Sequence, residues 1–148
     1  MIKMPIFHLA IPIDDVTTAK QFYGDGLGCT IGRENKLAVI FNFYGTQLVG
    51  HISREKLTQQ QGIYPRHLGL ILPSKAEWTE IRDRASQKAL TFYQQPKLRF
   101  PNLALEHYTF FLEDPFYNLL EFKYYINSEV IFGGRESDFI GDATKSEI

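Results

Sequence analysis

His8, His51, His67 and Glu121 are the side chains of this sequence with the most chemistry to offer, and each lies in a stretch that reads as a β-strand. Imidazole titrates near neutrality and is a common metal ligand. Glu121 is the anomaly. Leu119, Leu120, Phe122 and Tyr124 surround it in a run that otherwise wants burial. An ionised carboxylate is rarely buried without a partner, so Glu121 either faces solvent or meets a cation. A single strand histidine is more often a satisfied core or surface residue than a ligand. Here, though, the chain holds four histidines in all, and His8 and His67 occupy matching places in an internal repeat, FHLAI in one half and RHLGL in the other.

The elements that must position these residues follow from the pattern. Residues 6–13 (IFHLAIPI) form a strand candidate. Asp14 and Asp15 can cap a helix and favour its positive end. Val16, Ala19, Phe22 and Tyr23 then recur at helical spacing, and Gly24, Gly26 and Gly28 stop it. Strands are expected at 27–32, 37–43 and 47–53, with Tyr44-Gly45-Thr46 turning the chain and His51 on the return. Residues 54–65 are polar, end in proline and read as a linker. The order then repeats. A strand is expected at 66–72, and then a helix opened by a capping box from Ser74 to Glu77 with Trp78, Ile81 and Ala85 as its apolar stripe. A strand at 90–93 and a loop from Pro96 to Pro101 follow. His107 to Tyr125 reads as two apolar strands joined by the turn Asp114-Pro115-Phe116-Tyr117-Asn118, whose aspartate, proline and asparagine favour turns for separate mechanical reasons. From about Glu129 the chain is charged and glycine-containing, and a loosely docked or frayed tail is expected.

Each half therefore reads strand, helix, strand, strand, strand. Such a unit leaves one sheet face unburied. Two units can curl their sheets toward each other and enclose a cavity on which His8, His51, His67 and Glu121 converge.

Composition narrows the class. A chain of 148 residues suits one domain or two small halves, and 44% hydrophobic residues suffice for a real core. The net charge of −1, with acidic and basic residues interspersed, argues against a nucleic-acid partner. No run approaches a membrane span and no signal peptide is visible, so a cytoplasmic protein is expected. The single cysteine, Cys29, excludes an internal disulfide and any cysteine-rich zinc site, and reads as a packed thiol.

The segments FHLAIPIDD, FYGDGLG, PRHLGLIL and FLEDPFYNLLEF, which together span the chain to about Tyr125, resemble the vicinal oxygen chelate superfamily. That superfamily includes glyoxalase I, methylmalonyl-CoA epimerase, fosfomycin-resistance enzymes, extradiol dioxygenases and bleomycin-resistance proteins. The Asp-Pro turn followed by Asn and a Glu-Phe pair is the most specific of the motifs. The resemblance implies an α+β fold of two βαβββ modules forming a cupped, barrel-like mixed sheet around a divalent metal. The expected organisation is a single domain over 1–148, with module 1 at about 5–53, a linker at 54–65, module 2 at about 66–126 and a polar tail from about 129. Carried over position by position, it implies His8, His67 and Glu121 as metal ligands.

The fourth ligand position is less clean. Aligning the turn at Gly45-Thr46-Gln47-Leu48 on its counterpart puts Val49 opposite Glu121. His51 lies two residues further on the same strand face, where it can reach the metal or line the pocket. The family turn usually has glycine where this chain has Tyr117. Glu113 and Asp114 are most simply turn chemistry. Arg33 and Arg99 can hold an anionic substrate, although strand-end arginines are more often solvated.

Imidazole and carboxylate donors suit Fe, Zn, Ni, Mn or Co and do not select among them. By the resemblance, the metal binds a small substrate through two neighbouring oxygens and acts as a Lewis acid. With His51 in place of a metal-bound carboxylate, the base expected for glyoxalase chemistry is missing. The expectation therefore leans toward a dioxygenase-like enzyme, with His51, His107 or Tyr108 as the pocket acid or base, over a glyoxalase- or isomerase-like one. The alternative is a non-catalytic drug- or small-molecule-binding protein of the bleomycin-resistance kind. A homodimer is expected by analogy, with Phe41, Phe43 and Tyr44 offering apolar contact area.

Overall fold

The computed structural model describes residues 1–142; the last six residues of the expected tail lie outside the described part. Two four-stranded mixed sheets are present. The first holds β1 (His8–Ile13), β2 (Thr30–Glu34), β3 (Ala38–Phe43) and β4 (Thr46–Ile52). The second holds β5 (Leu68–Ile71), β6 (Thr91–Arg99), β7 (His107–Glu113) and β8 (Leu119–Tyr125). Their spatial orders, β1-β4-β3-β2 and β5-β8-β7-β6, are the same arrangement twice. In each, the first strand pairs parallel to the last and the remaining pairs are antiparallel. The sheets do not close into a barrel. The fold is α+β and glyoxalase-like, as the resemblance implied.

Helices cross between first and second strands of each half. Val16–Ala19 (α1) makes a single α turn after the Asp15 cap and continues as a wider π-helical stretch, Lys20–Gly26. Lys75–Gln87 (α2) starts from Ser74, whose hydroxyl accepts from the Glu77 N–H. The capping box differs in one detail from expectation: the Glu77 carboxylate accepts from the Ser74 hydroxyl rather than from a backbone N–H.

One buried cluster joins both halves. Phe41, Phe43 and Leu48 from the first sheet pack in the same core as Phe110, Leu120 and Phe122 from the second, with Tyr23 and Trp78 from the helical segments. The Phe43 and Phe122 rings meet edge to face at 6.2 Å. Phe41 and Phe43 are thus core residues rather than the dimer contacts expected of them; of that trio only Tyr44 is exposed.

One expectation of the second half is corrected. β6 runs to Arg99, through Pro96, where a loop was expected. It is an edge strand with register shifts at Phe92/Gln94 and Gln94/Lys97, and a proline is tolerated at an edge or bulge because no inward N–H is needed there. Of the expected loosely docked or frayed tail, the described residues up to Asp142 dock on the second half. A 3-10 turn (Ser128–Ile131) buries Val130, and Asp142 forms ion pairs with Lys97 and Arg99.

Candidate functional site

Strand alternation sorts the second sheet into two faces. Leu120 and Phe122 of β8, with Phe110 and Leu112 of β7, belong to the core. The other face carries Glu121 and Lys123 of β8 beside His107, Thr109 and Phe111 of β7, as the pairs Phe111–Glu121 and Thr109–Lys123 require. β5 runs alongside, with Gly69 directly opposite Glu121. A Cβ at Gly69 would overlap the Glu121 carbonyl, so only glycine lets the two strands approach here.

Glu121 is 5% exposed and meets cations, the second of the two alternatives its setting left open. Its Oε1 lies 3.2 Å from Nε2 of His67. Its Oε2 accepts from the Thr109 hydroxyl at 2.6 Å and from the Arg99 guanidinium at 3.0 Å. Burial alone pushes this carboxyl up, but the His67 hydrogen bond, Lys123, Thr109 and Arg99 outweigh it and hold it at about 2. The same hydrogen bond raises His67 above the ordinary imidazole range, against the opposing effect of burial. His67 is oriented from behind by the Ile63 carbonyl, which accepts from Nδ1 at 2.7 Å.

His8 takes the equivalent place in the first sheet. Its Nδ1 lies 2.8 Å from the Gln47 side-chain oxygen, and its ring is exposed. The registers align the two halves: His8 with His67, Ala10 with Gly69, and Val49 with Glu121. The position opposite Glu121 therefore carries an apolar, buried Val49. His51 pairs with Pro12, four residues along β4 from Gln47. That is about 13 Å at strand rise, so His51 sits at the far end of the strand from His8. Among the described residues, no three His, Cys, Asp or Glu side chains gather into a group that would hold a metal. Of the four expected ligands, the fold joins His67 to Glu121 and leaves His8 and His51 apart from them.

Tyr108 lies on the opposite face of the sheet from Glu121. It alternates with His107 and Thr109, packs against Trp78 at 5.4 Å, and its hydroxyl meets Lys75. His107 is on the Glu121 face, 2% exposed, with Nδ1 bonded to the Leu105 carbonyl and Nε2 3.4 Å from Arg99. Burial, with Lys123 and Arg99 nearby, depresses its basicity. The dioxygenase-leaning expectation named His51, His107 or Tyr108 as acid or base, and of these three only His107 lies beside Glu121 on the same face of the second sheet. Burial pushes the Cys29 thiol up to about 12, which makes it inert as a nucleophile.

Arg99 is the main residue that sequence reading undervalued. Its side chain is 4% exposed and clasped between two carboxylates. Nothing in the local sequence distinguishes it from a solvated strand-end arginine, because its burial depends on β6 continuing past Pro96. Asp142 was missed for a similar reason, since it approaches the site from a distant part of the chain, and Thr109 and Tyr64 because their side chains take their roles only from the partners the fold brings to them.

Two pockets of about 320 Å³ each meet at His67, between β1 and β5. One is lined by Leu9, Phe43, Leu48 and Leu68, the other by Gln60, Arg66, Pro12 and Asn118. A larger depression of about 540 Å³ around Thr18, Lys88 and Tyr117 contains no histidine. No helix among the described residues is long and apolar enough to cross a membrane.

The model of the Glyoxalase/Bleomycin resistance protein/Dioxygenase superfamily matches residues 6–122, and the chain belongs to that family. A glyoxalase/bleomycin resistance protein/dioxygenase from Alicyclobacillus acidocaldarius is 39% identical, with a TM-score of 0.81 over 86% of this chain and 96% of that one. A lactoylglutathione lyase from Agrobacterium tumefaciens shares the fold at 21% identity and a TM-score of 0.62, covering 91% and 97% of the two chains. A fosfomycin resistance protein, FosX, from Listeria monocytogenes does so at 12% identity and 0.63, covering 83% and 94%. No curated protein is significantly similar to the chain.

Proposed function

We propose that this protein is an enzyme that handles a small oxygenated molecule at the His67–Glu121 pair, with a divalent metal ion bound there. The carrying observation is the separation of His67 Nε2 and Glu121 Oε1, 3.2 Å. Two neighbouring ligands of one ion, with bonds of about 2.1 Å, stand about 3 Å apart. The orientation of the imidazoles supports the same reading. His8 and His67 both direct Nδ1 at a carbonyl oxygen, on Gln47 and Ile63, which leaves Nε2 as the ligating nitrogen. Fe, Zn, Ni, Mn and Co all suit these donors. Bound there, such an ion supplies Lewis-acid polarisation of neighbouring substrate oxygens.

The chain's own residues do the rest. Thr109 and Arg99 fix the second oxygen of Glu121 and so the plane of its carboxylate. The apolar pocket beside His67, lined by Leu9, Leu48 and Leu68, takes the carbon skeleton of the substrate. His8 lies on the exposed face of β1, with Ala10 and Pro12. A second copy of the chain presents that imidazole, so the proposed working form is a homodimer.

The test is metal uptake. Protein stripped with a chelator and dialysed against each ion in turn is expected to take up one equivalent of at least one of them. His67→Ala and Glu121→Ala are expected to take up none. A parent that cannot be loaded with any ion sinks the metal reading.

A second reading, a metal-free binding module, is favoured by one specific feature. Arg99 and Thr109 already compensate Glu121, and Val49 offers no further carboxylate. Thermal stabilisation by a bulky ligand, unchanged by metal, would support it.

A further inference from the structure

The Arg99 guanidinium has two working edges. NH1 is turned inward to Glu121, at 3.0 Å. Nε and NH2 are turned outward and grip both oxygens of Asp142, at 2.6 and 3.1 Å. This fork-on-carboxylate geometry is the form in which arginine recognises carboxylates and phosphates. Lys97 adds a third contact to the same carboxylate, with Nζ 3.0 Å from Oδ2. The occupant comes from far along the chain, on a segment with no regular strand or helix between the 3-10 turn and Asp142. Its seat is shaped for close approach. The Asp142 N–H donates to the Tyr64 hydroxyl at 2.7 Å, and Phe139 stacks on Phe100 at 5.3 Å. Gly141, at φ +64°, lies where a Cβ would collide with the Tyr64 hydroxyl.

Charge decides what else fits. Arg99, Lys97 and Lys123 are the lysines and arginines of this face that act on Glu121 and Asp142. With Asp142 lifted out, three cations face one carboxylate. Such a face attracts an anion, and Arg99, held in place by Glu121, offers it a preorganised fork.

We propose that the outer edge of Arg99, with Lys97, is the anion-recognition subsite of this protein, and that Asp142 fills it as an internal stand-in. The ligand's carboxylate or phosphate group displaces Asp142 and bonds to the same three donors, next to the His67–Glu121 pair. This deepens the proposed function by giving its substrate an anionic group, and it rests on that location for the site.

The experiment is titration of metal-stripped, full-length protein with malonate and, separately, with inorganic phosphate. A tethered carboxylate acts at millimolar effective concentration. Its removal in Asp142→Asn is expected to tighten binding of at least one of these anions about tenfold. Gly141→Ala leaves Asp142 intact but unseats its segment, and is expected to give the same gain. Lys97→Met in the Asp142→Asn background is expected to lose part of the gain. Tighter malonate assigns a carboxylate ligand, and tighter phosphate a phosphoryl one. Equal affinity in the parent and both single variants, or binding by none of them, overturns the proposal and leaves the Arg99–Asp142 pair as a structural staple. Because metal is removed beforehand, this outcome is independent of metal uptake: either proposal can fail while the other stands.

Discussion

Glu121 carries its charge inside an apolar strand, and its neighbours make that affordable in different ways. Thr109 gives a short hydrogen bond, Arg99 a full charge, and His67 a proton that depends on pH. With its carboxyl held at about 2 instead of 4.5, Glu121 contributes stability in full above about pH 4.5. That contribution is lost as the pH falls from there toward about 2, because the protonated acid forfeits its ion pairs. Urea unfolding across this range is expected to show the parent losing stability faster than Glu121→Gln. At neutral pH the same variant is expected to cost about 3 kcal/mol, the low end for breaking a buried pair, since Asp142 still neutralises Arg99.

At the scale of elements, the helix termini and turns carry local instructions that the fold obeys. Ser74 caps α2 as its spacing foretold, and Ser74→Ala is expected to lower stability by about 1 kcal/mol, read as a shift in the urea midpoint. The turn after β7 is built on Asp114, whose Oδ1 accepts from the N–H groups of Phe116 and Asn118. Tyr117 sits there at φ +69°, the left-handed region, at the position where the family turn usually has glycine. β6 shows the limit of local reading. Pro96 suggests an end to the strand, but at an edge with bulges the strand passes through it. That continuation is what carries Arg99 to Glu121.

At the scale of the molecule, the two halves share one core and are pinned across it. The buried Tyr23 hydroxyl donates to Asp114 at 2.7 Å, linking the first helical segment to the turn of the second sheet. Asn118 reaches back to the Pro12 carbonyl at 3.0 Å. Tyr23→Phe removes the first pin while Asp114 keeps its three bonds from Phe116 and Asn118. A loss of about 1.5 kcal/mol is expected, seen as a fall in Tm of about 4 °C. Arg84 of α2 also crosses between halves, donating to the Gly26 carbonyl at 2.8 Å.

The repeat, the order of strands in each half and the equivalence of His8 and His67 were legible in the sequence, because they rest on period-two patterning and local turn chemistry. That Glu121 is an anomaly was legible for the same reason: a carboxylate in an apolar strand needs either solvent or a cation, and the tertiary structure decided for burial. Which cation it meets was decided only in three dimensions. His67 arrives through the parallel pairing of β5 with β8, Arg99 through a bulged edge strand, and Asp142 from the C-terminal segment. Side-chain period alone put His51 on the right face, but the register sends it to the far end of β4, and the same alternation turns Tyr108 toward α2. Sequence spacing fixes faces over a few residues; distance across strands depends on long-range pairing and on the packing of two sheets, which no local pattern encodes.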